Sequence, residues 1–322
     1  MMFAVRGLAV SFSIFVVFYS VLSVAVCCVW RTVWLGGQQY SARRCADLLF
    51  ALRMIPFVVA SGITLALAVP SFLLLEPRAV DEPMGVVPLA LSLCGIAVVL
   101  AGAWNAAVAL LRASQTVARW SSAADVIGSS VVGSRVTVPV LRVSGAAPPL
   151  TVAGILRPSV WLSKAAEFVL TDRELRSALR HEVVHVCRRD NLRKLILRLV
   201  AFPGMAELES AWREATEMAA DDAAVSSASE ALDLAAAVIK LSRLAPLEAP
   251  AELTTALVHS PAEALNARVE RLIAWTEPRP GLAKGYSSRY ALCAAVAALV
   301  TLAVTYGELL VRVHAATEWL VR

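Results

Sequence analysis

Four stretches of this chain are too long and too apolar to be buried segments of a water-soluble domain. Leu8 to Trp30 carries no charge and is bracketed by Arg6 and Arg31. Met54 to Leu75 lies between Arg53 and Glu76, and Val86 to Leu111 ends at Arg112. Tyr290 to Leu310 follows Arg289 and contains one charge, Glu308. A helix needs about 20 mostly apolar residues to cross the hydrocarbon core, and each run meets that length. Pro56, Pro70 and Pro88 fall in these runs, which membrane helices tolerate when neighbours re-satisfy the backbone. Composition agrees: 17% of the 322 residues are charged, against roughly 25% in a soluble domain. The first run is longer than a signal-peptide core and no small-residue cleavage site follows before Arg31, so it is expected to stay as a span.

Lys and Arg in the short loops set the orientation. The loop after the first run has Arg31, Arg43, Arg44 and Arg53 against a single acid, Asp47. The loop after the second, EPRAVDEPMG, has three acids and one arginine, and Arg112 and Arg119 follow the third run. The expected fold is therefore a multi-pass α-helical membrane protein with four spans and one cytoplasmic domain between spans three and four. Residues 1–112 would hold three transmembrane helices (about 8–30, 54–75 and 86–111) with a basic cytoplasmic loop. Residues 113–289 would form the cytoplasmic domain, 290–310 the fourth helix and 311–322 a short extracytoplasmic tail. N-terminus and C-terminus both fall outside. The expected outer loop has no cysteine, so no external disulfide is implied. No CxxC pair exists, which disfavours a thiolate zinc site. The net charge of +5 reflects the inside-positive bias and gives no ground for direct nucleic-acid binding.

Within 113–289 the first stretch, ASQTVARWSSAADVIGSS, is small and polar, and no element is assigned to it. Arg135 to Val143 alternates and is β-branched; Thr151 to Leu156 and Ser159 to Ser163 read as two further strands. Helices follow, giving an α+β domain. Thr171 and Glu174 make a capping-box pattern that opens the first. Amphipathic or helical segments then cover Asn191 to Phe202, Glu207 to Ser226, Ser229 to Leu244 and Pro261 to Trp275.

The first of these helices carries HEVVH. His181 and His185 are four apart and share a helix face, so two imidazoles can occupy two of the four tetrahedral positions of zinc. Glu182 sits beside the first histidine, where a carboxylate can serve as general base. A third ligand is needed. His314 is expected across the membrane, which leaves His259 or a carboxylate. Glu217 in EMAADDAAV, 217 − 185 = 32 residues after the second histidine, is the better candidate and gives a His₂Glu site for one zinc ion per chain. Asp221 lies one turn on, on the same face, and can accept the free ring N–H of a ligand histidine. Asp222 points elsewhere. A chance HExxH helix is the competing reading, but the chain has four histidines in all, and two of them flank this glutamate. The basic run Arg188, Arg189, Arg193, Lys194 and Arg198 reads as a cationic face on anionic membrane lipids.

Three spans, HEVVHVCRRDN, EMAADDAAV and a last span together resemble the BlaR/MecR-type membrane metallopeptidases. The resemblance covers nearly the whole chain, including PLTVAGILRPSVWLS before the catalytic helix and LNARVERLI before the last span. It implies a gluzincin-like, zincin-fold domain in a bacterial-type inner membrane, with His181, His185 and Glu217 on zinc, Glu182 as base and Asp221 behind a ligand. It also implies that a strand edge near Thr151–Ser163 binds substrate. Asp190 belongs to the matched motif, which assigns it no role; a structural bond near the end of the catalytic helix is expected of it. The implied substrate is a cytoplasmic protein such as a BlaI/MecI-type winged-helix repressor, and a homodimer is left open. One departure is that no penicillin-binding SxxK motif lies outside. Another is Thr216, where the family often has a basic residue. Two other readings compete. One is an HtpX-type quality-control protease, disfavoured by the charged stretch between His185 and Glu217. The other is a catalytically inactive receptor, disfavoured by the intact Glu182.

Overall fold

The computed structural model describes residues 2–37, 41–77, 85–122, 124–132, 136–143, 148–244, 253–256, 262–276 and 305–317. The apolar runs become helices longer than their uncharged cores. α1 is Met2–Gly37. α2, Ala42–Ile63, passes through a π-turn at Thr64–Ala68 into α3, Val69–Leu75. α4 is Val86–Ser121, so the polar stretch after Leu111 continues the helix. Among the described residues three helices, Phe3–Gly36, Ala42–Leu75 and Val86–Ser121, are long and apolar enough to cross a membrane. Most of the expected fourth span, 290–310, lies outside the described residues; 305–317 is helical.

The chain divides into two compact units. One comprises Met1–Val29, Met54–Ala101 and Pro278–Arg322. It exposes Leu65, Leu74, Val86 and Leu93, as a lipid-facing surface does. Its interior uses polar and aromatic contacts, which replace the hydrophobic effect between helices in lipid. Ser13 Oγ is 2.8 Å from the Pro88 carbonyl, and Phe15, Tyr19 and Phe57 form a ring cluster. Tyr306 donates to the Ala66 carbonyl inside the π-turn (2.7 Å), where the wider ladder leaves backbone groups in need of partners. Arg6 pairs with Glu76 at 3.2 Å, and His314 Nδ1 is 3.9 Å from the same carboxylate.

The second unit comprises Trp30–Arg53 and Gly102–Glu277. Its sheet has the order β1-β2-β4-β3-β5, built from β1 Ala124–Val132, β2 Val136–Val143, β3 Leu150–Ala153, β4 Ser159–Ser163 and β5 Thr255–Ala256. β2 and β4 are parallel and the other pairs antiparallel. β1, in the stretch left unassigned from sequence, gains its strand character by pairing with β2 along its length. Gly154, with φ +99°, makes the turn after β3 that a Cβ would obstruct.

Among the described residues this unit also has six helices: α5 Lys164–Val169, α6 Asp172–Arg188, α7 Asp190–Leu199, α8 Ala206–Ala224, α9 Ala228–Leu244 and α10 Ala262–Ile273. α6 opens with the expected capping box: Thr171 Oγ1 accepts from the Glu174 amide, and Glu174 accepts from the Thr171 amide. One core joins sheet and helices, with Val152, Val160 and Leu162 packed in a cluster with Val183, Leu234 and Leu272. The last turns of α1 from Trp30, the first part of α2 to Arg53 and α4 from Gly102 belong to this unit. Arg53, 1% exposed, donates to the Val200 carbonyl and pairs with Glu209 at 3.2 Å. A Cβ on Gly102 would lie 2.0 Å from the Leu199 carbonyl, so glycine lets α4 pass the end of α7.

Candidate metal centre

α6 carries His181 and His185 one turn apart on its buried face, 0% and 2% exposed. The helix ends at Arg189, whose left-handed backbone (φ 55°) turns the chain sharply into α7. That reversal brings Asp190 back onto the preceding turn, with its Oδ2 2.7 Å from His185 Nδ1. α8 brings Glu217 and, one turn later, Asp221. His181 Nδ1 lies 2.9 Å from Asp221 Oδ1, an ionic contact off the line of a straight hydrogen bond. Each histidine therefore has its Nδ1 against a carboxylate. This favours the Nδ1–H tautomer and turns the Nε2 lone pair inward.

The two Nε2 atoms are 3.1 Å apart. Glu217 closes the triangle, with Oε2 3.5 Å from His181 Nε2 and Oε1 3.6 Å from His185 Nε2. A tetrahedron with bonds of about 2.0–2.1 Å has edges of roughly 3.3 Å. The donor set and its spacing therefore fit a zinc ion. His181, His185 and Glu217 are also the group of ligand-bearing residues, among those described, that converges for a metal. Glu182 is fully buried, and neither of its carboxylate oxygens has a hydrogen-bond partner among the described residues. An orphaned buried carboxylate is costly for stability and marks a group kept for chemistry.

The electrostatics follow from burial and neighbours. Burial raises Glu182 to about 8, against the opposing pull of His181. Burial would lower His181, but the carboxylates of Asp221 and Glu217 outweigh it and hold the ring at about 9. Burial likewise works against ionised Glu217, yet His185 and Arg268 pull it down to about 2. Asp221 is also held well below the usual carboxylate range, because Arg268 and His181 overcome its burial. A bound dication would dominate this balance and favour ionised Glu182 and neutral imidazoles.

The structure thus brings together His181, Glu182, His185, Glu217 and Asp221 from the sequence analysis. It gives Asp190 a specific place behind His185, where a generic helix-end bond was expected. The expected substrate edge narrows. β4 lies between β2 and β3, with Val160–Leu162 paired on both sides, and is not an edge strand. β3 pairs with β4 on one side and with the two residues of β5 on the other. His259, the alternative ligand, lies outside the described residues. The basic run is turned inward in part: Arg188 and Arg193 reach Asp47, and Lys194 donates to the Thr254 carbonyl at 2.8 Å. These partners come from distant segments and were invisible in the run itself.

Arg268 was missed. From α10 it clamps Asp221 through Nε (2.9 Å) and Nη2 (2.8 Å), and its Nη1 is 3.1 Å from Glu217 Oε2. A signal existed: Leu265, Arg268, Val269 and Leu272 share one helix face, so an arginine stands in an apolar stripe. Asn191 also ties the site to the sheet, donating to the Val152 and Gly154 carbonyls at 3.3 and 3.1 Å.

HExxH completed by a glutamate from a later helix, on a mixed α/β domain, is the catalytic geometry of the gluzincins. His181, Glu182, His185 and Glu217 match that geometry, which is that of a zinc metalloendopeptidase, in a chain whose described residues include apolar helices long enough to cross a membrane. No protein-family model matches the chain, and no curated protein matches it.

Proposed function

We propose that this protein is an inner-membrane zinc endopeptidase of the BlaR/MecR type, which cuts a cytoplasmic protein, such as a winged-helix repressor, in response to a signal. The observation that carries the reading is the triangle of His181, His185 and Glu217 with Glu182 orphaned beside it. In this reading residues 113–289 are cytoplasmic and both termini lie outside. The meeting of Arg6, Glu76 and His314 supports that arrangement, because it places the start of α1, the end of α3 and the C-terminal helix at one end of the first unit.

His181, His185 and Glu217 would hold the zinc, which would supply Lewis acidity for attack of water on a peptide carbonyl. Glu182 takes a proton from that water as the C–O bond forms. It returns the proton to the leaving nitrogen as the C–N bond breaks. Asp221 and Asp190 hold the two imidazoles by Nδ1, and Arg268 offsets the charge of Glu217 and Asp221. The substrate strand would pair beside β3, on the side where β5 covers only Thr151 and Val152, as β-augmentation of a peptide substrate requires. The HtpX-type reading is disfavoured further by α7 and the start of α8, which fill Val186 to Thr216 without a helix long and apolar enough to span.

The test is zinc content and peptidase activity of the detergent-purified protein, with internally quenched peptides as the probe. Wild type is expected to hold about one zinc per chain, His181→Ala to lose it, and Glu182→Ala to keep it while losing cleavage. A folded wild type that takes up no zinc when offered it, or a Glu182→Ala variant that cleaves at the wild-type rate, overturns the reading.

A further inference from the structure

Asp47 is the one acid between Arg31 and Arg53. It stands near the start of Ala42–Leu75, one of the three helices able to span a membrane. Its Oδ1 lies 2.9 Å from Arg193 Nη1 and 3.3 Å from Arg188 Nη2. Arg188 is the last residue of the catalytic helix, and its side chain is 9% exposed. The same guanidinium faces a second acid, with Nε 3.7 Å from Oδ1 of the fully buried Asp190. The other oxygen of Asp190 holds His185 at 2.7 Å.

The 3.7 Å contact is the informative one. It is close for an ion pair but beyond the roughly 3.2 Å limit of a good N–H···O bond. Arg188 Nε and Asp190 Oδ1 are both buried, and neither has a hydrogen-bond partner among the described residues. Two opposite, buried, unsatisfied groups face each other just out of bonding range, while Asp47 holds the far end of the fork. The position of the guanidinium decides how much of the Asp190 charge it takes. With Arg188 held by Asp47, the Asp190 carboxylate is left to His185. Released, Arg188 can close on Asp190 and draw its charge away from the imidazole, making the ring a poorer metal ligand.

We infer that Asp47 is a positioning residue for the metal centre, acting on His185 through Arg188 and Asp190, so that the inner end of α2 sets how firmly zinc is held. The inference rests on the zinc reading above. It supplies a physical link by which a change in a spanning helix reaches the active site, with Asp47 as the residue that receives it.

The experiment is zinc affinity of the full-length, detergent-purified chain, by competition with a chelator, together with the visible spectrum of the Co²⁺-substituted protein. Asp47→Asn is expected to weaken zinc about tenfold, the low end for groups behind a ligand, and to shift the Co²⁺ bands. Asp47→Glu is expected to restore both. Arg193→Gln, which removes the other partner of Asp47, is expected to leave both unchanged. In an Arg188→Gln background the Asp47→Asn change is expected to have no further effect, since a double-mutant cycle isolates the coupling. Wild-type affinity in folded Asp47→Asn overturns the inference, as does an equal weakening with or without Arg188. Failure of wild type itself to bind zinc removes the zinc reading, and the inference falls with it.

Discussion

The residues of the centre divide by how far apart in sequence their partners lie. His181, Glu182 and His185 are legible because a helix places i and i+4 together whatever surrounds it. Glu217 and Asp221 are legible as a pair for the same reason, although their meeting with the histidines needs α8 packed on α6. Arg268 stands 47 residues from Asp221, and nothing local announces that contact. Its role makes a sharp prediction. Arg268→Gln leaves Asp221 and Glu217 buried without their compensating cation, and breaking such a group costs about 3–5 kcal/mol. The midpoint of denaturant unfolding in detergent is expected to fall accordingly. A variant as stable as wild type would show that the histidines and zinc alone compensate the two acids.

At the scale of elements, α6 is tied to α9 at its first turn and at its middle by interactions that ionise. Glu174 closes the capping box and pairs with Lys240 of α9 at 2.8 Å. Arg180 pairs with Glu230 of α9, whose carboxylate also accepts from the amide and hydroxyl of Ser226. These donors, led by Ser226 and Arg180, lower Glu230 from 4.5 to about 2. A depressed carboxylate contributes stability above its unfolded value and loses it as pH falls through the folded one. Stability is therefore expected to decline between about pH 4.5 and 2, modestly, because Glu230 and its partner Arg180 are both partly exposed to solvent and screened. Glu230→Gln is expected to flatten that part of the profile, followed by circular dichroism against pH. Parallel profiles for variant and wild type would assign the acid sensitivity to other groups. The capping box was readable from Thr171 and Glu174, but β1 was not. Its sequence, ADVIGSSVV, interrupts Val and Ile with Asp, Gly and two serines, and pairing with β2 decides its state.

For the whole molecule, the expected topology makes a direct prediction. A reporter fused after Arg322 is expected to be active outside the membrane, and one fused within 113–289 inside. A cytoplasmic C-terminal reporter would overturn the alternation of spans and the shared end of Arg6, Glu76 and His314. What the sequence determined by itself is what period, length and local chemistry can carry. That covers the spanning helices, the HExxH face, the Glu217–Asp221 turn and the capping box. Each depends on groups a few residues apart, or on a run of apolar side chains whose preference for lipid needs no partner. Only the tertiary structure decided that α4 runs on to Ser121, that Asp190 and Arg268 stand behind the centre, and that Arg188, Arg193 and Lys194 turn inward. These outcomes depend on burying charge against distant partners, such as Asp47 or the Thr254 carbonyl. The low-dielectric interior makes that pairing strong where it is met and costly where it is not, and no local pattern records which distant group will meet it.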